Sequence, residues 1–411
     1  MKKSDKFILE RLIKKYSVSQ NINQDDYPLA CNPFETKDII SGCEVLLSGR
    51  ITMSSITERF EKEFAKYLKI KHALMVNSGS SANLLAFFAL TNPVNKKNIK
   101  INDECLIPAL CWSTSLWPIV QSGLKPKFID IDTETLNLDL NLVKKNITKK
   151  TKVILAVHVL GNSTNMNELN KLVKKNNLIL IEDTCESLGS KYNKKFLGTF
   201  GKYGTYSFYI SHQITSGEGG MIVCDNDDDY RLIYKMRAHG WDRGLNKKNN
   251  KNFNFVNSGF NLRPLDLTAA IGYSQFKRLN LMKKNRGINR EKIINAIKKS
   301  DNWYNQFTFL NAIKNLEPSW FGLPILLNEK FKNKKKSYLK MLNNNGIETR
   351  PIISGNFINQ PSVKLYNLNQ NKTKFKKAQD IEDRGFFIGL QTEIISYEKV
   401  KYLSETLLKY L

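Results

Sequence analysis

The chain has 411 residues, 41% of them hydrophobic and 10% aromatic, which is long enough for two domains with a well-buried core. Its formal net charge is +26 at pH 7, but the lysines are scattered beside asparagines in helical stretches, so we expect solvated basic faces and no nucleic-acid partner. No run of about 18 apolar residues occurs, so the sequence predicts no membrane span, no membrane partner and a cytoplasmic protein.

The first predicted element is an amphipathic helix at the N-terminus. Its sequence, "MKKSDKFILERLIKKYS" (1–17), combines apolar residues with charged ones throughout. A signal peptide would instead carry a longer apolar stretch without charges. We therefore expect a helix that belongs to the folded protein.

Between residues 70 and 225, short apolar runs alternate with helical patterns, which predicts a mostly parallel sheet with helices on both faces. The fold class that we expect is therefore α/β, with three layers. The predicted strands are "HALMV" (72–76), "ECLIPAL" (104–110), "PKFIDID" (126–132), "KVILAVHVLG" (152–161), "LILIEDTC" (178–185), "GTYSFYI" (204–210) and "GMIVCD" (220–225).

A long helical pattern covers residues 265–299, and mixed α+β patterns follow to the C-terminus. No linker rich in proline or glycine offers another place to divide the chain, so we place the domain change inside this helix. The sequence thus predicts a large domain over residues 1–287 and a smaller C-terminal α+β domain over residues 288–411.

Polar segments at three predicted strand ends supply the candidate functional residues. "NSGSSANLLA" (77–86) would start a helix whose free amides and dipole suit a phosphate, although a plain helix cap has the same composition. Asp183 ends a strand where doubly wound sheets collect ligands, and its carboxylate could cap a helix, bind a metal or pair with a protonated ring nitrogen. Ser207 and His212 follow the next strand, in "SFYISHQITSGEGG" (207–220). Together these groups are what pyridoxal phosphate requires.

The chain resembles the sugar aminotransferase family of pyridoxal phosphate enzymes, the DegT/DnrJ/EryC/StrS family, which has the fold of aspartate aminotransferase. The resemblance runs from about residue 40 to the C-terminus. It rests on "LLSGRIT", "FEKEFAKYLKIKHALMVNSGSSANLLA", "IPALCWSTSLWPIVQSGLKPKFIDID", "IEDTCESLGS", "SFYISHQITSGEGG" and "SGFNLRPLDLTAAIGYSQFKRL".

The resemblance implies a set of cofactor-binding residues, namely Ser80, Ser81, Trp112, Asp183, Glu186, Ser207 and Asn261. Ser80 and Ser81 would hold the cofactor phosphate through their backbone amides. Trp112 would stack on the pyridine ring, and Asp183 would pair with the ring nitrogen. Asn261 would reach the phosphate from the other subunit, so the implied active site is shared within a homodimer.

The sequence departs from the family at two of these positions. Glu186 stands where the family usually carries a glutamine, three residues after the aspartate. His212 stands where the family carries the lysine that binds the cofactor covalently. Lys202, ten residues upstream and before the strand, is poorly placed to replace it. An imidazole can still take and return a proton near neutral pH, so we interpret His212 as the catalytic base.

Histidine in place of lysine is the mark of the sugar 3-dehydratase branch of the family. The resemblance implies an enzyme with non-covalent pyridoxal or pyridoxamine phosphate and glutamate as amino donor. It would remove the 3-hydroxyl of a nucleotide-linked 4-keto-6-deoxy sugar on the route to a 3,6-dideoxysugar of surface polysaccharide. "RAHGWDRG" (237–244) and "TRPIISGNF" (349–357) favour GDP-4-keto-6-deoxymannose. Another nucleotide sugar, an aminotransferase that makes a 4-amino sugar, and a non-catalytic binding or regulatory homologue stay open as alternatives.

The cysteines bear on a second type within this branch, which carries an iron–sulfur cluster on cysteines downstream of the histidine. Only Cys224 follows His212, so we expect no four-cysteine cluster. No CxxC pair occurs, and reduced thiols without a metal site are expected. The six cysteines are Cys31, Cys43, Cys105, Cys111, Cys185 and Cys224.

A further group of residues is predicted to contact the substrate, namely His239, Arg263, Arg350 and Asn356. His239 would come from the dimer partner. The two arginines could bind nucleotide, sugar or the glutamate carboxylate, or could form structural ion pairs. His72 and His158 lie in apolar strands and are expected in the core.

Overall fold

The computed structural model describes residues 3–16, 26–30, 33–95, 99–243 and 253–411. All seven predicted strands are confirmed, and several end earlier than predicted because the chain turns into the loops that carry the polar site residues. The strands in the described ranges are β1 (His72–Val76), β2 (Glu104–Pro108), β3 (Lys125–Ile129), β4 (Thr151–Val157), β5 (Ile179–Asp183), β6 (Lys191–Tyr192), β7 (Lys195–Phe196), β8 (Tyr203–Ser207), β9 (Gly220–Cys224), β10 (Phe307–Phe309), β11 (Leu316–Glu317), β12 (Gly322–Leu327), β13 (Thr349–Arg350) and β14 (Gly385–Gly389).

The helices surround these strands, and the predicted N-terminal helix is the first of them. Those in the described ranges are α1 (Lys3–Tyr16), α2 (Thr36–Ser48), α3 (Ser55–Leu68), α4 (Gly79–Leu90), α5 (Ser113–Gln121), α6 (Leu140–Asn146), α7 (Met166–Lys175), α8 (Asp227–Arg237), α9 (Asp266–Phe276), α10 (Leu279–Lys298), α11 (Lys335–Asn344), α12 (Pro361–Leu365), α13 (Lys376–Arg384) and α14 (Tyr397–Leu408). None of the described helices is both long and apolar enough to cross a membrane.

The central sheet has the strand order β1-β9-β8-β5-β4-β2-β3. The strands from β8 to β3 are parallel, whereas β9 runs antiparallel to both β8 and β1. This arrangement confirms the mostly parallel α/β fold. Because parallel strands end at the same edge of a sheet, Asp183 at the end of β5 and Ser207 at the end of β8 lie on one side.

Both faces of this sheet are buried by helices, which explains why its strands are nearly continuous apolar runs. In β1, Leu74 and Val76 belong to the hydrophobic cluster that contains α4. Ala73 and Met75, which point to the opposite face, belong to the cluster that contains α3. The expected three layers are therefore present.

The predicted single helix over residues 265–299 is wrong, because the structure has two helices there. α9 ends at Phe276 and α10 begins at Leu279. At the break, Arg278 donates to both carboxylate oxygens of the buried Asp38, at 2.9 and 2.8 Å. The change of direction lets α9 pack on α2 and α3, while α10 packs on α14.

A second hydrophobic cluster lies around the antiparallel sheet β10-β12-β14-β13. It includes Ile293 and Ile297 of α10 and residues of α11 and α14. Tyr27, from the N-terminal part of the chain, is also buried within it. α10 runs unbroken across residues 287 and 288, and the domain boundary at that point stays a prediction.

Candidate active site

Asp183 is a firmly held polar side chain at the carboxyl edge of the central sheet. Only 5% of it is exposed. Its Oδ2 accepts hydrogen bonds from Asn83 Nδ2 of α4 at 2.8 Å and from Ser115 Oγ of α5 at 2.7 Å. Its Oδ1 accepts one from the Cys185 amide at 3.2 Å. Donors from three elements therefore fix the carboxylate in one orientation.

The N-terminus of α4 approaches the end of β8 so closely that position 79 must be glycine. A Cβ added to Gly79 would lie 2.6 Å from the Cβ of Ser207. Ser78 caps the helix, since its Oγ accepts from the Ser81 amide at 3.1 Å. The amides of Gly79 and Ser80, in the first turn, have no acceptor within the helix. Gly79 therefore joins Ser80 as a candidate for phosphate binding, while the Ser81 amide has a partner in the chain.

Trp112 precedes α5 directly and is 56% exposed. Its neighbour Cys111 is buried, and the Cys111 carbonyl accepts from Ser354 Oγ at 2.6 Å. A loop of the C-terminal region therefore holds the backbone beside an indole whose face is open. That environment is compatible with stacking on a planar ligand.

His212 lies in the loop between β8 and β9, with its ring enclosed on two sides. The rings of Phe321 and Tyr209 meet it edge-on, with centroids at 5.1 and 6.0 Å. Its Nδ1 is buried without a hydrogen-bond partner among the described residues. Burial, followed by the positive charge of Arg286, lowers the pKa of His212 to about 3. The imidazole is therefore neutral at neutral pH and able to accept a proton.

Lys202 lies at the opposite end of β8 from the site. The strand begins at Tyr203 and ends at Ser207, which is a length of about 17 Å. The ammonium of Lys202 is paired with Asp229 at 2.5 Å. The lysine nearest to the histidine in this part of the sequence is thus engaged elsewhere.

Glu186 links the loop after β5 to the histidine loop. Its Oε2 accepts from the Leu160 amide at 2.9 Å, and its carbonyl accepts from Gln213 Nε2 at 2.5 Å. Burial raises the pKa of Glu186 to about 7; the Leu160 amide opposes the rise and Asp183 adds to it. Near neutral pH this carboxyl group can therefore serve as a hydrogen-bond donor.

A second polar cluster forms around His239, Asn261 and Arg263. The guanidinium donates to Asn261 Oδ1 at 3.1 Å and lies 3.4 Å from His239 Nε2. Asn261 and Arg263 line a cavity of about 610 Å³ that also contains Trp241 and Arg243. The described lining of this cavity includes neither His212 nor Asp183. Within one chain, Asn261 and Arg263 thus lie apart from His212 and Asp183.

Among the described residues, the side chains of Arg350 and Asn356 contact neither of these groups. Arg350 is exposed and pairs with Glu348 at 2.8 Å. Asn356 is only 1% exposed. Its Oδ1 accepts from the Ile358 amide at 3.3 Å, and its Nδ2 donates to Gln379 at 3.2 Å. The Asn356 side chain therefore stabilises its own loop.

The two predicted core histidines have different outcomes. His158 is confirmed as buried, and its Nε2 lies 3.0 Å from Glu182 Oε2. The prediction for His72 is wrong, because this residue is partly exposed and its Nε2 lies 2.6 Å from Asp227 Oδ1. His72 opens β1 at the edge of the sheet, where solvent and a surface carboxylate are within reach.

Sequence reasoning missed three residues of the site, namely Gly79, Asn83 and Ser115. Each lies close to Ser80 or Trp112, in a segment that is predicted to carry cofactor-binding residues. Asn83 is a polar residue within the apolar helix "NLLAFFAL", and such a residue usually has a buried partner. That signal could have identified it.

The chain is similar to known proteins over nearly its whole length. Residues 35–407 match the DegT/DnrJ/EryC1/StrS aminotransferase family. GDP-4-keto-6-deoxy-D-mannose 3-dehydratase of Escherichia coli O55:H7 is 37% identical over 93% of this chain and 99% of that protein. An E. coli structure of that enzyme with bound hydrated PLP is 37% identical, has a TM-score of 0.86 and covers 93% of this chain and 99% of its own.

A further structure of GDP-4-keto-6-deoxymannose-3-dehydratase, with a trapped PLP-glutamate geminal diamine, is 36% identical with a TM-score of 0.85. It covers 93% of this chain and 100% of its own. Both the family match and these identities extend over nearly the whole chain. The protein therefore belongs to the DegT/DnrJ/EryC1/StrS aminotransferase family.

Proposed function

We propose that the protein is a glutamate-dependent dehydratase that removes the 3-hydroxyl of GDP-4-keto-6-deoxymannose with the help of pyridoxamine phosphate. The observation that carries the proposal is the neutral imidazole of His212 at the site edge of the sheet, in the loop where the family's lysine is expected. A site without that amine can move protons but cannot bind the cofactor covalently. The relatives named GDP-4-keto-6-deoxy-D-mannose 3-dehydratase support this substrate.

The residues at the sheet edge fit a pyridoxal-type cofactor held without a covalent bond. The amides of Gly79 and Ser80, together with Ser207, would bind its phosphate at the positive end of α4. Asp183 would keep the ring nitrogen protonated, and Trp112 would stack on the ring. When bound, the cofactor supplies an electron sink, and its amine form supplies the amino group that condenses with the keto group of the sugar.

His212 would act first as a base and then as an acid. Its neutral ring would take a proton from the cofactor's methylene carbon. The imidazolium would then give a proton to the 3-hydroxyl, which leaves the sugar as water. Since no lysine amine competes at this position, the product is left to hydrolysis and is not steered towards an amino sugar.

Glu186 would hold the ring of the cofactor from the side opposite the phosphate. In its protonated form the carboxyl group can donate a hydrogen bond, as the amide of the family's usual glutamine does. Its raised pKa makes that form available near neutral pH. The substitution of glutamate for glutamine would therefore preserve a donor at this position.

Glutamate would return the cofactor to its amine form and leave as 2-oxoglutarate, while the amino group is released from the product as ammonia. The relative whose structure holds trapped PLP-glutamate supports this amino donor. Because Cys224 is the single cysteine after His212, we propose a cycle without an iron–sulfur cluster or a reductase.

The cluster of His239, Asn261 and Arg263 would complete the active site of a second copy of the chain in a homodimer. Arg243 and Arg263 line its cavity of about 610 Å³. Arg237 lines it as well, but its guanidinium is paired with Glu61 at 2.7 Å. Guanidinium groups suit the diphosphate of a nucleotide sugar. The proposed location is the cytoplasm, where nucleotide sugars are made.

The test is to incubate the purified protein and glutamate with the 4-keto-6-deoxy sugars of GDP, CDP, UDP and dTDP. Ammonia, 2-oxoglutarate and the mass of the sugar are followed together. We expect a 3-deoxy ketone with both co-products, most rapidly from the GDP-sugar, and without added iron or reductase. A 4-amino sugar formed with 2-oxoglutarate but without ammonia would contradict the proposal.

Two substitutions of His212 test its role, and each serves as the control for the other. His212→Asn removes the base and should abolish dehydration while cofactor binding persists. His212→Lys should allow borohydride to fix the cofactor on the new lysine and should also lose dehydration. If borohydride instead fixes the cofactor stoichiometrically on a lysine of the wild-type protein, the role of His212 is wrong.

A further inference from the structure

Arg286 of α10 makes direct contact with the main chain of the histidine loop. Only 5% of Arg286 is exposed. Its Nη2 donates to the His212 carbonyl at 3.2 Å, and its Nε donates to the Leu390 carbonyl at 3.1 Å. One guanidinium thus joins α10, the histidine loop and the segment that follows β14.

The charge of this guanidinium is not compensated by a carboxylate among the described residues. Arg278 and Arg290, its neighbours on either side along the chain, each pair with an acidic group. Arg286 bonds to carbonyls, and its Nη1 is buried without a partner in the described ranges. Burial lowers the pKa of Arg286 to about 10, which leaves the group charged at neutral pH. Such a charge acts strongly on its neighbours because water screens it little.

The surroundings leave Arg286 as the dominant charge beside the imidazole. Both residues line a small cavity of about 30 Å³. The other charged residues in its described lining are Glu35, Arg278 and Glu393. Glu35 and Arg278 pair with each other at 2.9 Å, and Glu393 is exposed to solvent. Phe321 and Tyr209, whose rings meet the imidazole edge-on, bring no carboxylate or ammonium group to it.

We infer that Arg286 is a positioning residue for His212: it fixes the main chain of the histidine loop and places beside the imidazole a positive charge that disfavours protonation of the ring. This inference rests on the proposed role of His212 as the base. The direction of the shift agrees with this geometry, because burial lowers the pKa of His212 and the positive charge of Arg286 lowers it further. Loss of the positive charge should raise that pKa towards its ordinary value of 6.5.

The chain is well suited to a direct measurement, because it has four histidines. Their ring signals can be followed by NMR in purified, cofactor-loaded protein labelled at histidine, and the His212 signal is assigned with His212→Asn. In the wild type, we expect His212 to show no titration above about pH 5. A midpoint near 6.5 in the folded wild-type protein would overturn the inference without the need for any variant.

Two variants and a control distinguish the effect of the Arg286 charge from that of its hydrogen bonds. Arg286→Met removes the charge and the hydrogen bonds, so the titration midpoint of His212 should rise and the acid limb of the pH–kcat profile should move to higher pH. Arg286→Lys keeps the charge but loses the paired hydrogen bonds, so the midpoint should stay low while kcat falls. Arg290→Met is the matched control: Arg290 is buried on the same helix and donates to the Leu310 carbonyl at 2.5 Å, so its loss should leave the His212 titration unchanged.

The outcomes distinguish this inference from the proposed function. An unchanged His212 midpoint in Arg286→Met, or an equal rise in Arg290→Met, would show that Arg286 serves only as a structural residue. If the protein forms no 3-deoxy sugar but the midpoint shifts as expected, the proposed function fails and the electrostatic link between Arg286 and His212 stands.

Discussion

Replacement of Glu186 by glutamine tests whether this buried carboxyl group is protonated near neutral pH. Its pKa is raised from 4.5 to about 7. The contribution of such a group to the free energy of unfolding is fully present below about pH 4.5 and is lost as the pH rises through about 7. Since one pKa unit corresponds to about 1.4 kcal/mol, the full loss is about 3 kcal/mol, of which about 2.5 kcal/mol falls between pH 5 and pH 8.

Glutamine does not titrate, and its amide oxygen can still accept from the Leu160 amide. The free energy of unfolding of Glu186→Gln, measured relative to wild type, should therefore increase by about 2.5 kcal/mol from pH 5 to pH 8. The assay is urea unfolding of the cofactor-free protein, followed by far-UV circular dichroism at several pH values. Glu168→Gln, at an exposed position of α7, controls for the loss of one acidic side chain.

If the difference in unfolding free energy between Glu186→Gln and wild type is constant over this pH range, the raised pKa of Glu186 is wrong. Such a result would mean that Glu186 titrates alike in the folded and unfolded chains, and that the carboxyl group is ionised in the active protein. The proposed hydrogen bond from Glu186 to the cofactor would then have no donor.

The remaining predictions concern the cofactor residues. Asp183→Asn should lower kcat by about 100-fold or more, because an amide cannot stabilise a protonated ring nitrogen; this is measured by steady-state kinetics with saturating cofactor. Gly79→Ala should weaken cofactor affinity by at least about tenfold, since its Cβ would meet Ser207 at 2.6 Å. Gly287→Ala, with open space around its Cβ, should leave the affinity unchanged. Equilibrium titration by cofactor absorbance compares the two variants, and equal affinities would contradict the prediction. Trp112→Ala should reduce cofactor affinity by about 1 kcal/mol in the same titration, and an unchanged affinity would place the cofactor ring elsewhere.

Local sequence patterns were sufficient for the central sheet and for the segments that carry the site. Apolar runs alternated with helical patterns, and polar residues followed the strands at Asp183 and Ser207. Both features depend on neighbours along the chain, so they can be read without the fold. The position of the histidine in "SFYISHQITSGEGG" was also visible directly, together with the resemblance that gave it meaning.

The break between α9 and α10 could not be predicted in the same way. The pattern over residues 265–299 is helical throughout, and the break between the two helices lies where Arg278 pairs with Asp38, 240 residues away in sequence. Likewise, His72 and His158 both lie in apolar runs that were predicted as strands. Their different burial depends on whether the strand is at the edge or in the interior of the sheet.

Local periodicity in the sequence was enough for the α/β class and for the strands of the central sheet. The candidate cofactor residues and the exchange of lysine for histidine were predicted from the resemblance to the family. Only the tertiary structure decided which amide of the α4 turn is taken by Ser78, that Lys202 is paired at the far end of β8, and that Arg286 lies against the His212 carbonyl. Hydrogen bonds and electrostatic interactions act over a few ångströms in space, and the groups that come within that range are set by how distant segments pack.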